Sequence, residues 1–153
     1  MNVDFLRRVP LFQGLTDEQL AEILLLGVVK DYPKDTVVFE EGTESDRFYV
    51  IYHGSVRVSK ILQQVGEEAL AILEPGDFFG EMSFLDSEQH SARVVAHEDA
   101  QLLEIGNLQL KELLAARPDI AIAFLWAFCR TLSQRIRETN AKFSTLFTIS
   151  RVF

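Results

Sequence analysis

The sequence predicts a mainly β domain with flanking helices: an eight-stranded antiparallel β-roll of jelly-roll type, short helices before it and a long helix after it. Three observations predict this. Between residues 27 and 105, apolar residues alternate or gather in short runs cut by turn residues, which is strand periodicity at sandwich or barrel spacing. On either side of that region they recur every three or four residues, as in helices. A chain of 153 residues that is 48% hydrophobic and 25% charged has the size and composition of one domain around one core. The division is therefore one domain, 1–153, with N-terminal helices over 1–26, the β-roll over 27–105 and C-terminal helices over 106–153.

The elements follow in order. Residues 3–9 read as a short amphipathic helix, broken by Pro10-Leu11-Phe12-Gln13-Gly14-Leu15. Thr16-Asp17-Glu18-Gln19 is a capping-box pattern. It starts a second helix over 17–26, with Gly27 expected as the left-handed stop. Strands are expected over 28–32, 36–39, 48–52, 55–59, 69–73, 91–96 and 100–105, with turns at Pro33-Lys34-Asp35, His53-Gly54, Gln63 to Gly66 and His97-Glu98-Asp99. Leu108, Leu110, Leu113 and Leu114 belong to a short helix ending before Pro118, and Pro118 opens the long helix, where its missing N–H matters little. In that helix Ile122, Leu125, Cys129, Leu132, Ile136, Thr139, Phe143 and Leu146 form a heptad seam, while Ala121, Phe124 and Phe128 form a second stripe. Two apolar faces both need burial. One suits the β-core. The other suits the same helix of a second copy, so a homodimer through the long helix is expected; burial of both faces within one chain is the alternative.

Charge and cysteine content exclude several classes. The formal net charge of −8 repels polyanions, so nucleic acid and anionic membrane are poor partners. A single cysteine, Cys129, forbids an internal disulfide and fits a reducing cytoplasm. The N-terminal residues have no signal-peptide core, and the longest apolar run, 120–129, is too short to span a bilayer. A cytoplasmic domain without membrane contact is expected. No nucleophile elbow, Walker loop or GxGxxG is present, and His53, His90 and His97 lack the close pairing of a metal site, so an enzyme is not expected.

The stretch that carries chemistry is Glu74-Pro75-Gly76-Asp77-Phe78-Phe79-Gly80-Glu81-Met82-Ser83-Phe84-Leu85, with the tail His90-Ser91-Ala92-Arg93-Val94-Val95-Ala96. A turn leads through two aromatics to a glycine at a helix start. The first N–H groups of a helix have no internal partner and suit an anion. Glu81 sits beside them, either as a ligand carboxylate or as an acid favoured there by the helix dipole alone.

Taken in order, these pieces resemble the cyclic nucleotide-binding domain family, which includes the bacterial catabolite activators, the regulatory subunits of cyclic-AMP-dependent kinase and the cyclic-nucleotide-gated channels. Phe12-Gln13-Gly14-Leu15 is similar to the family's entry, Phe39-Glu40-Glu41-Gly42, Phe48-Tyr49-Val50-Ile51 and Gly54-Ser55-Val56-Arg57-Val58 to its glycine-marked hairpins, and residues 75–96 to its phosphate-binding cassette. The resemblance implies cyclic AMP or cyclic GMP as ligand, with no other cofactor. It implies close backbone approach at Gly80, phosphate donors at the N–H groups of Met82 and Ser83, and a ribose 2′-hydroxyl acceptor at Glu81.

Two positions depart from the family. The tail His90-Ser91-Ala92 has a histidine where the family carries its phosphate-binding arginine. Arginine offers a permanent charge in a planar fork; histidine, with a reference pKa of about 6.5, grips an anion only when protonated. His90 is therefore a phosphate ligand when charged or a solvated loop residue. Arg93 is no substitute, since strand alternation puts it with Ser91 and Val95, opposite Ala92, Val94 and Ala96. Where the catabolite activators place hydroxyl residues over adenine, this chain has Arg135 and Ile136. Arg135 either meets a purine or phosphate or is a solvated helix residue.

The functional expectation is a regulatory sensor module with a non-standard pocket at Gly80, Glu81, Met82, Ser83, His90, Ser91 and Arg135, binding cyclic nucleotide weakly or a related anion and signalling to a downstream protein partner. The alternative is a degenerate, ligand-free dimerisation or interaction scaffold. A cupin-like metalloenzyme is the third and weakest reading. Too few residues follow Asn140 for the helix-turn-helix of the family's transcription regulators, so no DNA binding by this chain alone is expected.

Overall fold

In a computed structural model that describes residues 2–44, 46–64 and 66–150, with side chains as far as 144, the two short helices come first. They are α1 (Val3–Arg8) and α2 (Asp17–Leu25), separated by a 3-10 turn over Pro10–Phe12. The capping box of α2 is formed in full: the Gln19 N–H donates to Thr16 Oγ1 at 3.3 Å and the Thr16 N–H donates to Gln19 Oε1 at 2.9 Å. Gly27 is not the left-handed stop. Leu26 caps the helix in right-handed conformation, and Gly27 starts the first strand. A Cβ on Gly27 would lie 2.4 Å from Leu103 Cδ1, so glycine serves close packing there rather than a helix stop.

Eight strands follow: β1 (Gly27–Tyr32), β2 (Val37–Phe39), β3 (Arg47–His53), β4 (Val56–Leu62), β5 (Gly66–Leu73), β6 (Phe78–Phe79), β7 (Arg93–Ala96) and β8 (Ala100–Gly106). They pair antiparallel in two sheets of order β1-β8-β3-β6 and β2-β7-β4-β5. The strand absent from the sequence expectation is β6, two residues long, which joins the sheet through Tyr49↔Phe79 and Val50↔Phe78. A further helix, α3 (Glu81–Asp86), lies between β6 and β7, and α4 (Asn107–Ala116) and α5 (Pro118–Ser150) close the chain. β7 begins at Arg93, two residues later than expected, with a bend at Ser91 and Ala92.

The first sheet is covered on both faces. Along β3, Phe48 and Val50 point to the helices while Tyr49 and Ile51 point into the roll, as strand alternation requires. On the helix side they meet Leu6, Leu11, Leu20, Phe124 and Phe128. On the roll side they meet Val56, Val94 and Leu102. On α5, Phe124 and Phe128 are buried, as the second stripe predicts, with Ile120 and Ala127 beside them. Of the seam, Leu132 leans on the core and Thr139 borders the cavity described below, but Ile122, Leu125, Cys129, Ile136 and Phe143 stay exposed, as does Trp126. Leu146 lies outside the described side chains. Val95, expected opposite the core set, is as buried as Val94.

One buried charge needs an account. The Glu104 side chain is 1% exposed and would be costly alone. It accepts from the Tyr32 hydroxyl and pairs with Lys30 Nζ at 3.0 Å and Arg47 Nη1 at 2.8 Å. Burial by itself would raise its pKa; the Tyr32 and Lys30 hydrogen bonds and the two cations overcome that, and the group lies below its usual value. Because the folded pKa is depressed, its stabilisation is present above the unfolded pKa and disappears as pH falls through the folded one. Glu104→Gln should therefore destabilise the fold by about 1–3 kcal/mol at neutral pH, with the gap between variant and wild type narrowing in the acid limb. Urea melts at pH 7 and pH 3 measure this; equal gaps at both would contradict it.

Candidate functional site

A cavity of about 580 Å³ opens between the roll, the start of α3 and one side of α5. Gly80 shapes its edge. It lies between β6 and α3 with φ +80°, and a Cβ there would stand 2.8 Å from the Arg47 carbonyl oxygen. Both the left-handed backbone and the close approach demand glycine. The chain then turns into α3, whose first-turn N–H groups have no intrahelical acceptor. Ser83 is buried and Met82 exposed, and the Ser91 hydroxyl donates to Met82 Sδ at 3.5 Å.

His90 is not a solvated loop residue. It is 7% exposed, and its ring lies flat on Phe39, with centroids 3.5 Å apart and planes 4° from parallel. Its backbone is clamped as well: the N–H donates to the Thr43 carbonyl at 2.9 Å, and the carbonyl accepts from the Gly42 N–H at 2.8 Å. Phe39 in turn packs on Tyr49 and Phe79, which stack on each other. Burial lowers the His90 pKa, and the Asp46 charge opposes this only in part. At neutral pH the ring is uncharged, so the charge that an anion would need is missing from the cassette.

Arg135 is no free helix arginine either. It reaches from α5 to the cassette, where Nη1 donates to Glu81 Oε1 at 2.7 Å and Nη2 donates to the Phe78 carbonyl at 2.7 Å. Its Cζ sits 4.6 Å from the centre of the Phe78 ring, a cation–π contact. Arg93 stays away from the cavity, paired with Glu40 at 3.0 Å and Glu67 at 3.2 Å on the other face of its sheet.

All seven residues singled out from the sequence, Gly80, Glu81, Met82, Ser83, His90, Ser91 and Arg135, border this one cavity. Sequence reasoning missed Phe39 and Phe79 on the roll side and Thr139 and Lys142 on the helix side. The last two were within reach, because they follow Arg135 at i+4 and i+7 on one helix face. Among the described residues bordering the cavity, the basic ones are Arg135 and Lys142, both on α5, against Asp77, Glu81 and Glu138. No group of histidine, cysteine and acidic side chains fit to hold a metal occurs among the described residues. No described helix is long and apolar enough to cross a membrane.

Comparison with known proteins gives this arrangement a context. Residues 29–117 match the family model described as Cyclic nucleotide-binding domain. The chain is 29% identical over 143 residues to a CRP-like cAMP-activated global transcriptional regulator of Mycobacterium tuberculosis, covering 94% of this chain and 62% of that protein. The structure superposes on the Thermus thermophilus catabolite activator protein with TM-score 0.77 and 32% identity, covering 90% of this chain and 62% of the other. A cyclic nucleotide-binding domain from Methylobacillus flagellatus gives TM-score 0.82 at 25% identity, with 92% and 79% covered. The chain thus spans about three fifths of the length of the curated regulators it resembles.

The buried stack makes a prediction about protonation. In an NMR titration the His90 ring should change charge below the ordinary histidine value of about 6.5. Opening the stack with Phe39→Ala should move that midpoint back up, since desolvation is the dominant cause. A His90 midpoint above that ordinary value in the wild type would contradict the stacked, uncharged ring.

Proposed function

The chain belongs to the cyclic nucleotide-binding domain family, and from that premise we propose that it is a regulatory sensor module that takes cyclic AMP or cyclic GMP weakly into a non-standard pocket. The observation that carries this is the convergence of Gly80, Glu81, Met82, Ser83, Ser91 and Arg135 on one cavity large enough for such a ligand. The backbone of the cradle is intact. In this reading Met82 and Ser83 offer N–H groups to the ring phosphate and Glu81 faces the ribose.

The weakness has a physical source. An uncharged His90 replaces a guanidinium that would give a bidentate, charge-assisted contact. A hydrogen bond of that kind is worth roughly 1.5–3 kcal/mol, or about ten- to over a hundredfold in affinity. The cavity's own acids and the net charge of −8 add to the deficit. A ligand-free scaffold is the second reading, and the Arg135–Glu81 pair favours it, because that pair already satisfies the carboxylate.

The output of the module is carried by α5. Ile122, Leu125, Ile136 and Phe143 leave an apolar stripe exposed, which suits the same helix of a second copy or a downstream protein partner. The relatives' labels as transcriptional regulators refer to longer proteins; the reading for these residues is binding and dimerisation in the cytoplasm, without catalysis, membrane contact or DNA contact of their own.

Titration calorimetry with cyclic AMP and cyclic GMP at pH 6 and pH 7.5 tests the ligand. Measurable heat at submillimolar to millimolar concentration is expected, and silence at millimolar ligand at both pH values would sink the sensor reading. His90→Arg should tighten binding by about ten- to a hundredfold. Light scattering tests the helix seam: Ile136→Glu should shift the protein from dimer to monomer, and a variant that stays dimeric removes this face as the interface.

A further inference from the structure

We propose that ligand uptake is coupled to a proton at His90: the anionic group of the ligand enters the cavity together with a proton from solvent, and affinity falls as pH rises through neutrality. The proposal deepens the cyclic-nucleotide reading given above and rests on it. Three observations carry it. His90 borders the cavity and is only 7% exposed. Its ring lies flat on Phe39, so the stack covers a face and leaves the nitrogens, which lie on the edge, unblocked. Among the described residues none hydrogen-bonds those nitrogens, and they are not sealed from the cavity. A polar ring that is more than nine-tenths buried and lacks a protein partner is costly unless what enters the cavity satisfies it.

The charge around the ring comes from three sides. On β2 and the loop after it, Glu40 is paired with Arg93 at 3.0 Å, Glu41 with Lys60 at 3.2 Å and Asp46 with Arg47 at 3.6 Å. Of these, the Asp46 charge reaches the imidazole, and it offsets burial only in part, so the free ring is uncharged at neutral pH. The cassette brings Asp77 and Glu81 to the cavity, and α5 brings Arg135, Glu138 and Lys142. An incoming phosphodiester sets a full negative charge beside an uncharged ring. A charge-assisted hydrogen bond to that anion favours the imidazolium and works against the desolvation that keeps the free ring neutral. The His90 pKa therefore rises on binding, and the complex takes up the proton that the free protein lacks.

The sign of the coupling follows by linkage. A ligand that raises the His90 pKa binds more tightly as pH falls. Below the pKa of the free protein the ring is already charged, and affinity is level. Above the pKa of the complex the ring is neutral in both states, and affinity is level again at its weakest. Between the two, affinity falls by up to about tenfold per pH unit, the limit for one proton. Histidine is the side chain whose ordinary value lies in this range. Of the three here, His53 and His97 are exposed and do not border the cavity. The backbone of His90 is clamped to Thr43 and Gly42, which limits where the ring can go in either charge state.

The experiment is calorimetry of cyclic AMP binding to the wild type, His90→Arg and His90→Gln at pH 5.5, 6.5 and 7.5. The pH 6.5 titration is run in both PIPES and bis-Tris, whose different heats of ionisation count the protons taken up. The wild type should lose about tenfold or more in affinity from pH 5.5 to pH 7.5 and show net proton uptake at pH 6.5. Both variants should lose the slope and the uptake, with His90→Arg tight and His90→Gln weak at every pH. Where a variant does not fold, NMR titration of the wild-type His90 ring with and without millimolar cyclic AMP decides. An upward move of the midpoint supports the proposal, and an unchanged midpoint overturns it. A wild-type affinity that is flat with pH, or a slope that survives in His90→Gln, also overturns it and leaves the sensor reading standing. Silence of the wild type at millimolar ligand at every pH overturns the two together.

Discussion

The structure depends on one sheet being buried on both sides. Phe78 and Phe79 are adjacent, so their side chains leave β6 on opposite faces, one into the helical core and one into the roll. Phe78 stacks on Phe48 and packs against Phe128 of α5. Phe79 stacks on Tyr49 and packs against Phe39. Two residues thereby bind three layers at the point where the chain enters the cassette. Gly80 follows at once, and its left-handed backbone turns the chain into α3. The position of the α3 start is accordingly set by large aromatic burials on both sides, not by the six-residue helix itself, which is too short to be stable alone.

The same aromatic packing determines the electrostatics of the site. The stack that fixes Phe79 extends through Phe39 to His90 and removes that ring from water. A buried imidazole resists protonation, so packing and charge are alternatives at this position. The chain has packing. The strongest cation beside the cradle then comes from α5, where Arg135 is neutralised in place by Glu81. Beside the cavity, the described permanent cations therefore sit on the long helix, at Arg135 and Lys142, and none on the roll.

The legible and illegible parts of the chain separate by range. The capping box at Thr16 and Gln19, the strand alternation around Phe48, the outward Arg93 and the buried stripe at Phe124 and Phe128 are all local patterns, and local patterns survive into the fold. What the sequence misread or left open depends on contacts distant in sequence. Gly27 has the form of a helix stop, yet its real constraint is Leu103 on a strand far along the chain. His90 has the form of a polar loop residue, yet Phe39 buries it. Arg135 is an ordinary helix arginine until α5 docks and brings it to Glu81. The two-residue β6 carries no periodicity at all; only pairing with Tyr49 and Val50 makes it a strand. For the candidate site, the family motif supplied the residues, while their charges and partners required the three-dimensional packing.

The helix α5 joins these effects. Along one helix, Phe124 and Phe128 hold it to the core, Arg135 meets the cavity, and Ile136 faces solvent on the next residue. Arg135 and Ile136 are about 100° apart around a 3.6-residue turn, so they cannot face the same surface. A shift of α5 that frees Arg135 from the cassette must also move Ile136. A partner that covered the Ile136 face would be linked to the occupancy of Glu81 only through a different affinity for the two positions of α5, and such a linkage would act in both directions. A partner that favours the docked helix would strengthen the Arg135–Glu81 pair and weaken whatever competes for that carboxylate. The cavity-lining Arg135 and the exposed Ile136 are thus adjacent residues on two sides of one helix.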